Sequence, residues 1–268
     1  MVWRCSSDKP RQLGIFGRKN SPSTINIKIF NIYILSFQII HYFCEFSVKH
    51  DIKVEKKHMM QISFVDIIEF IGTFAFAISG IRLASAKQFD LFGAFVVGLV
   101  TAIGGGTIRD LLLDVTPFWM NNSIYLVITA IALVWVMVFS KYLVRMDNTF
   151  FIFDAIGLAL FAVVGIQKTL DAGFPLWVAT IMGTFTGAAG GVLRDVFINE
   201  IPLIFRKDIY AMACVMGGFA YWVCSRLGCD AIVTQITCGV CVFLTRVLAV
   251  KFHVSLPTLK GEERHHQK

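Results

Sequence analysis

The chain has 268 residues, of which 56% are hydrophobic and 16% charged, and a formal net charge of +7. Soluble domains carry about 25% charged residues, so this chain lacks the polar surface to cover a water-soluble core of its size and is expected to live in a lipid bilayer. Its basic residues fall mostly in short connecting stretches and at the two ends; with no basic–aromatic interleaving of the kind that stacks bases, nucleic acid is excluded as a partner.

Residues 1–60 differ from the rest. Stretch 1–24 is basic and polar, 47–58 is charged, and 25–46 between them is apolar and aromatic but interrupted by Asn26, Lys28, Asn31, Gln38 and His41. It has no small-residue cleavage site. It reads as an extra membrane segment or as a dispensable extension upstream of Met59–Met60, where the regular pattern begins. From Gln61 onward seven apolar segments follow, at 62–81, 91–106, 123–141, 152–167, 176–191, 208–225 and 231–250. Each approaches or reaches the roughly 20 residues that cross a bilayer.

A shift of 85 residues aligns the chain with itself. Gly72 falls on Gly157, Gly80 on Gly165, Gly98 on Gly183, Gly105–Gly106 on Gly190–Gly191, Arg109–Asp110 on Arg194–Asp195, and Pro117 on Pro202. Over 69–118 against 154–203 there are 16 identities in 50 positions without a gap, and apolar bias alone does not place glycines, an Arg-Asp pair and a proline in register. Each repeat holds three apolar segments. Three is odd, so the second repeat enters the membrane from the opposite side. The expected fold is an all-α membrane protein with seven transmembrane helices as 3+3 inverted repeats plus one, and 25–46 as a candidate extra segment. The repeats occupy 61–145 and 146–229, the seventh helix 230–252, and a cytoplasmic tail 253–268. Arg82, Lys87, Lys141, Arg145, Arg206, Lys207, Lys251, Lys260 and Arg264 gather on one side, against Lys168 and Arg226 in the short loops of the other. Because Lys and Arg stay cytoplasmic, the N-terminus of the seven-helix unit is expected outside and the C-terminus inside.

The second segment runs into Gly104-Gly105-Gly106, then Thr107-Ile108-Arg109-Asp110. From Leu91 to Ile103 a helix covers about 20 Å, so the glycines fall inside the roughly 30 Å hydrocarbon layer. Three glycines in a row, each about 1 kcal/mol poorer than Ala in a helix, predict a break, and freed peptide groups must then face protein or a wet cavity. Arg or Asp in a membrane helix costs about 3 kcal/mol on insertion scales, yet Arg109, Asp110, Arg194 and Asp195 recur beside matching glycines. Inversion then predicts that the breaks at Gly104–Gly106 and Gly190–Gly191 meet to form one polar pathway at mid-membrane. The structural alternative is close helix packing through small residues, with each Arg-Asp neutralised locally. Glu69 and Asp154 also match at the offset of 85; either they attract cations at a pore mouth or they cap helix N-termini, as Asp66 is expected to do.

Cys238 and Cys241 form a C-x-x-C with no second ligand pair, and Cys in an apolar helix acts as a small hydrophobe. Neither a metal site nor a cofactor is expected. H-E-x-x-H, P-loop and G-x-S-x-G patterns are absent, and the six histidines lie in the terminal extensions or after the last segment. The chain is not expected to be an enzyme.

Gly104-Gly105-Gly106-Thr107-Ile108-Arg109-Asp110, its echo Gly190-Gly191-Val192-Leu193-Arg194-Asp195, and Asp154-Ala155-Ile156-Gly157 together resemble the bacterial branch of the trimeric intracellular cation (TRIC) channel family, also catalogued as putative glycine transporters. The resemblance spans about residues 61–255. It implies a homotrimer in the bacterial inner membrane with one pore per subunit, bent at the two glycine breaks and passing monovalent cations, chiefly potassium. The second break reads Ala189-Gly190-Gly191 and lacks one glycine of the triplet. The competing reading is a secondary transporter of glycine or another small zwitterion, whose carboxylate would meet Arg109 or Arg194.

Overall fold

The computed structural model describes residues 63–145, 149–205, 209–252 and 254. The extension at 1–60 and most of the tail at 253–268 lie outside the described residues. Among the described residues there are seven long helices: α1 (Phe64–Ala86), α2 (Leu91–Leu112), α3 (Ile124–Arg145), α4 (Thr149–Asp171), α5 (Leu176–Phe197), α6 (Ala211–Arg226) and α7 (Ala231–Lys251). A one-turn helix at Phe118–Asn121 and a 3-10 turn at Leu203–Phe205 occupy equivalent places after α2 and α5. No strand occurs among the described residues. Helices α1, α2, α4, α5 and α7 are each long and apolar enough to cross a membrane, whereas the apolar part of α3 is Ile124–Phe139 and α6 has 16 residues.

Local chemistry sets the helix ends. Ser63 caps α1: its hydroxyl accepts from Asp66 N while the Asp66 carboxylate accepts from Ser63 N, a reciprocal capping box. Asp66 is therefore a cap, as expected. Asp90 caps α2 by accepting from Gly93 N at 2.9 Å. At the C-termini the repeat reappears in the backbone. Gln88 (φ 60°) after α1 matches Gly173 (φ 86°) after α4, and Asp114 (φ 56°) after α2 matches Asn199 (φ 57°) after α5. Each left-handed residue ends its helix as a Schellman-type stop, with Val115 N donating to Asp110 O at 2.9 Å and Glu200 N to Asp195 O at 2.8 Å.

Helices α1, α2, α4 and α5 form the centre, α3 packs on α1 and α2, α6 on α5, and α7 on α4 and α6. Two reciprocal contacts define the symmetry. A Cβ added to Gly72 would meet the Phe161 ring, and one added to Gly157 would meet the Phe76 ring. A Cβ at Gly105 would meet the Thr186 carbonyl, and one at Gly190 the Thr101 carbonyl. Residues exchanged by the offset of 85 thus touch each other's partners, as a two-fold axis requires. In each case the higher number on one helix meets the lower number on the other, so α1 runs antiparallel to α4 and α2 to α5. The repeats are inverted. On the bundle's outside, Phe92, Val138, Trp177 and Leu244 stand exposed, as lipid-facing side chains do.

Candidate functional site

The glycines lie where α2 and α5 cross, but they do not break either helix. α2 is continuous from Leu91 to Leu112 and α5 from Leu176 to Phe197, which corrects the expectation of a break at Gly104–Gly106 and Gly190–Gly191. Close packing explains the difference. Space for a side chain at Gly104 is taken by Leu193, at Gly105 by the Thr186 backbone, at Gly106 by the Phe118 ring, at Gly190 by the Thr101 backbone, and at Gly191 by the Tyr210 hydroxyl. These contacts offset the poor helix propensity of glycine, and the helical backbone through the glycines provides its own hydrogen-bond partners, as a bilayer requires. Thr101 and Thr186, which flank the crossing, turn their hydroxyls back to the carbonyls of Val97 and Met182 at 2.6 Å.

The Arg-Asp pairs follow the glycines by one turn, and antiparallel helices carry them in opposite directions. The pairing at the crossing places Arg109 level with Met182, twelve residues from Arg194 along α5, about 18 Å at 1.5 Å per residue. The glycines meet as expected; the Arg-Asp pairs do not join them in one mid-membrane constellation. They form two separate clusters on either side of the crossing.

In the Arg109 cluster the guanidinium is fully buried. Its Nε donates to Asp110 Oδ1 at 2.7 Å and its Nη2 to Glu69 Oε1 at 3.2 Å. Glu69 is 1% exposed; Lys168 Nζ reaches both its oxygens at 2.8 and 2.9 Å, and the Tyr125 hydroxyl donates to Oε2 at 2.9 Å. Asp110 Oδ2 accepts from Phe118 N at 2.8 Å, and the Phe118 ring lies under both Arg109 and Lys168. Two cations therefore face two carboxylates.

The Arg194 cluster repeats this plan. Arg194 Nε donates to Asp195 Oδ1 at 2.9 Å, and Nη1 donates to Asp154 Oδ1 at 2.5 Å and to Ser79 Oγ at 2.8 Å. Asp195 Oδ2 accepts from Leu203 N at 3.0 Å, as Asp110 does from Phe118. The second cation is Arg246 of α7, 1% exposed and held between the Phe151 and Tyr210 rings at 5.0 and 4.9 Å. Burying such charges costs several kcal/mol per ion unless paired, and here each arginine in an Arg-Asp motif has two carboxylates. Glu69 and Asp154 are neither open to solvent nor helix caps; they are the long-range partners of Arg109 and Arg194.

Several members of these clusters escaped the sequence. Tyr125 and Tyr210 match at the offset of 85 but lie beyond the 50 residues aligned. Lys168 falls in the last turn of α4 and resembled a loop charge. Arg246 lies in the seventh helix, outside both repeats, so the repeat could not reveal it; a charge inside the seventh apolar segment was the available signal. Ser79, with Val164 opposite it, gave none.

Fold and site together define a polytopic membrane protein of inverted repeats with two internally neutralised charge clusters around a glycine crossing. The family model described as Glycine transporter matches residues 66–141 and again 151–226, the second match displaced by the same 85 residues as the repeat. The chain belongs to this family, and it has the fold of the TRIC channels. It is 37% identical over 207 residues to a UPF0126 membrane protein of Vibrio cholerae, covering 76% of this chain and 87% of that one. It is 38% identical over 199 residues to the UPF0126 inner membrane protein YadS of Escherichia coli K12, covering 73% and 96%. Among solved structures, a TRIC cation channel studied for its conductance superposes with a TM-score of 0.67 at 36% identity, covering 75% of this chain and 99% of that one. The TRIC orthologue of Rhodobacter sphaeroides gives a TM-score of 0.65 at 32% identity, covering 71% and 98%.

Proposed function

We propose that this protein is a channel for monovalent cations, chiefly potassium, with a pathway inside each subunit along the α2–α5 crossing. The observation that carries this reading is the neutrality of the two clusters. Arg109 and Arg194 would oppose cation flow if bare, but Glu69, Asp110 and Lys168 around the first and Asp154, Asp195 and Arg246 around the second leave no net positive charge among the described residues. The pathway residues in this reading are Gly104–Gly106 and Gly190–Gly191 at the crossing, Arg109, Asp110 and Glu69 at one end, and Arg194, Asp195 and Asp154 at the other. Solved relatives are cation channels and one is named trimeric, which supports cation passage and a homotrimer here. The relative named an inner membrane protein supports the same location here, with the C-terminus of the seven-helix unit cytoplasmic by charge bias.

The family's description favours a glycine carrier as the second reading. Such a carrier needs a cation free to meet a carboxylate, and both arginines are already engaged by carboxylates of their own chain. Purified protein in liposomes separates the two. Potassium efflux above that of empty vesicles, unaffected by glycine, is expected; saturable glycine uptake without potassium efflux would replace the channel by the carrier.

A further inference from the structure

The Arg-Asp pair, the long-range carboxylate and a tyrosine stand at the same repeat positions in the two charge clusters, and the carboxylate differs in length between them. In the Arg109 cluster the long-range carboxylate is Glu69, and Tyr125 donates to it directly at 2.9 Å. In the Arg194 cluster its equivalent is Asp154, shorter by one methylene, and the equivalent tyrosine is Tyr210. Tyr210 and Asp154 are fully buried, yet among the described residues the Tyr210 hydroxyl and Asp154 Oδ2 both lack a hydrogen-bond partner. A third unpartnered atom, Arg246 Nε, belongs to the guanidinium stacked 4.9 Å from the Tyr210 ring centroid; a fourth, Arg194 Nη2, makes no hydrogen bond but is held in an ion pair 2.9 Å from Asp195 Oδ1. A Cβ on Gly191 would lie 2.6 Å from the Tyr210 hydroxyl and 3.6 Å from Arg194 Nη2, and the same guanidinium holds Asp154 through Nη1, so Tyr210, Asp154 and Arg246 gather around Arg194.

Buried donors and acceptors are almost always satisfied, by protein or by an ordered water. The donor set decides the ligand. Arg246 Nε–H and the Tyr210 O–H offer two hydrogens, and Asp154 Oδ2 needs one. A cation would be repelled by Arg194 and Arg246, an anion by Asp154 and Asp195. A small neutral molecule that accepts two hydrogen bonds and donates one meets all three demands, and buried waters typically make about three such bonds. We propose that the Arg194 cluster binds one buried water molecule, which accepts from Arg246 and Tyr210 and donates to Asp154, taking the place of the direct tyrosine–carboxylate bond in the Arg109 cluster. The methylene missing from Asp154 is the reason the site exists.

X-ray radiolysis footprinting reads such a site directly, because hydroxyl radicals formed from a bound water label the side chain beside it. In the full-length protein in detergent or lipid, Tyr210 is expected to label clearly above Tyr125, although both are buried. In D154E the longer carboxylate reaches Tyr210, and labelling falls to the level of Tyr125. If D154E does not fold, a high-resolution map of the unaltered protein decides instead: a density peak within hydrogen-bond distance of Tyr210 Oη, Asp154 Oδ2 and Arg246 Nε is expected. Equal labelling of Tyr210 and Tyr125, or a map that resolves other buried waters and is blank here, overturns the proposal.

Discussion

Phe76 of α1 and Phe161 of α4 stack nearly parallel, with ring centroids 5.3 Å apart and planes 9° from each other, and they are the same position of the two repeats. A residue that packs on its own repeat equivalent lies on the two-fold axis, so this pair marks where the halves meet. Both rings are 1% exposed. Replacing either by Ala is expected to lower stability by about 3–5 kcal/mol. Because the rings touch each other, the double variant should lose clearly less than the two single losses together. Thermal melting of F76A, F161A and F76A/F161A in lipid nanodiscs checks this, and strict additivity would place the axis elsewhere.

Gly105→Ala and Gly190→Ala should behave as a matched pair. Each new methyl is aimed at backbone of the opposite helix, Thr186 for the first and Thr101 for the second, and backbone cannot rotate away as a side chain can. Overpacking of this kind costs about 1–3 kcal/mol. Both variants are expected to push α2 and α5 apart, lowering the melting temperature by similar amounts and altering potassium flux more than assembly. Loss of assembly with unchanged flux per assembled protein would mean the crossing serves packing only.

The buried charges predict an asymmetric response to neutralisation. Asp154→Asn removes one of two carboxylates from a fully buried Arg194, and breaking a buried pair in this way costs about 3–5 kcal/mol. Lys168→Met should be milder. Lys168 is 28% exposed, and Glu69 keeps Arg109 and Tyr125 as partners when it is lost. Yield of folded protein and melting temperature check the order, which is D154N well below K168M.

Lys87 and Glu200 provide the contrast. They form an ion pair between the loop after α1 and the end of α5, with both side chains near 40% exposed (44% and 39%). An exposed pair is worth about 0–1 kcal/mol and is screened by salt. Lys87→Ala is therefore expected to shift the melting temperature slightly in low salt and not at all in high salt, as a melting series across salt concentrations would show.

The fold was legible because the repeat writes it twice. Gly72, Gly105, Arg109 and Asp110 recur at one offset, and three apolar segments per repeat force inversion. The state of the helix at Gly104–Gly106 was not legible. Glycine runs weaken a helix and permit close approach at the same time, and sequence cannot say which property is used; here Thr186, Leu193 and Phe118 fill the space. Glu69 and Asp154 were found by symmetry, but their partners were not. A carboxylate 40 residues from its arginine looks like any other interfacial acid until both helices are packed. Lys168 and Arg246 break the symmetry by coming from outside the matched positions, so the repeat that revealed the rest concealed them.

Single-channel recording in planar bilayers across a potassium gradient tests the central claim most directly. Unitary currents whose reversal potential follows the potassium equilibrium potential are expected, with reduced open probability or conductance in Gly105→Ala and Gly190→Ala. Bilayers that stay silent with folded protein that takes up glycine, or currents that reverse at the chloride potential, would contradict it.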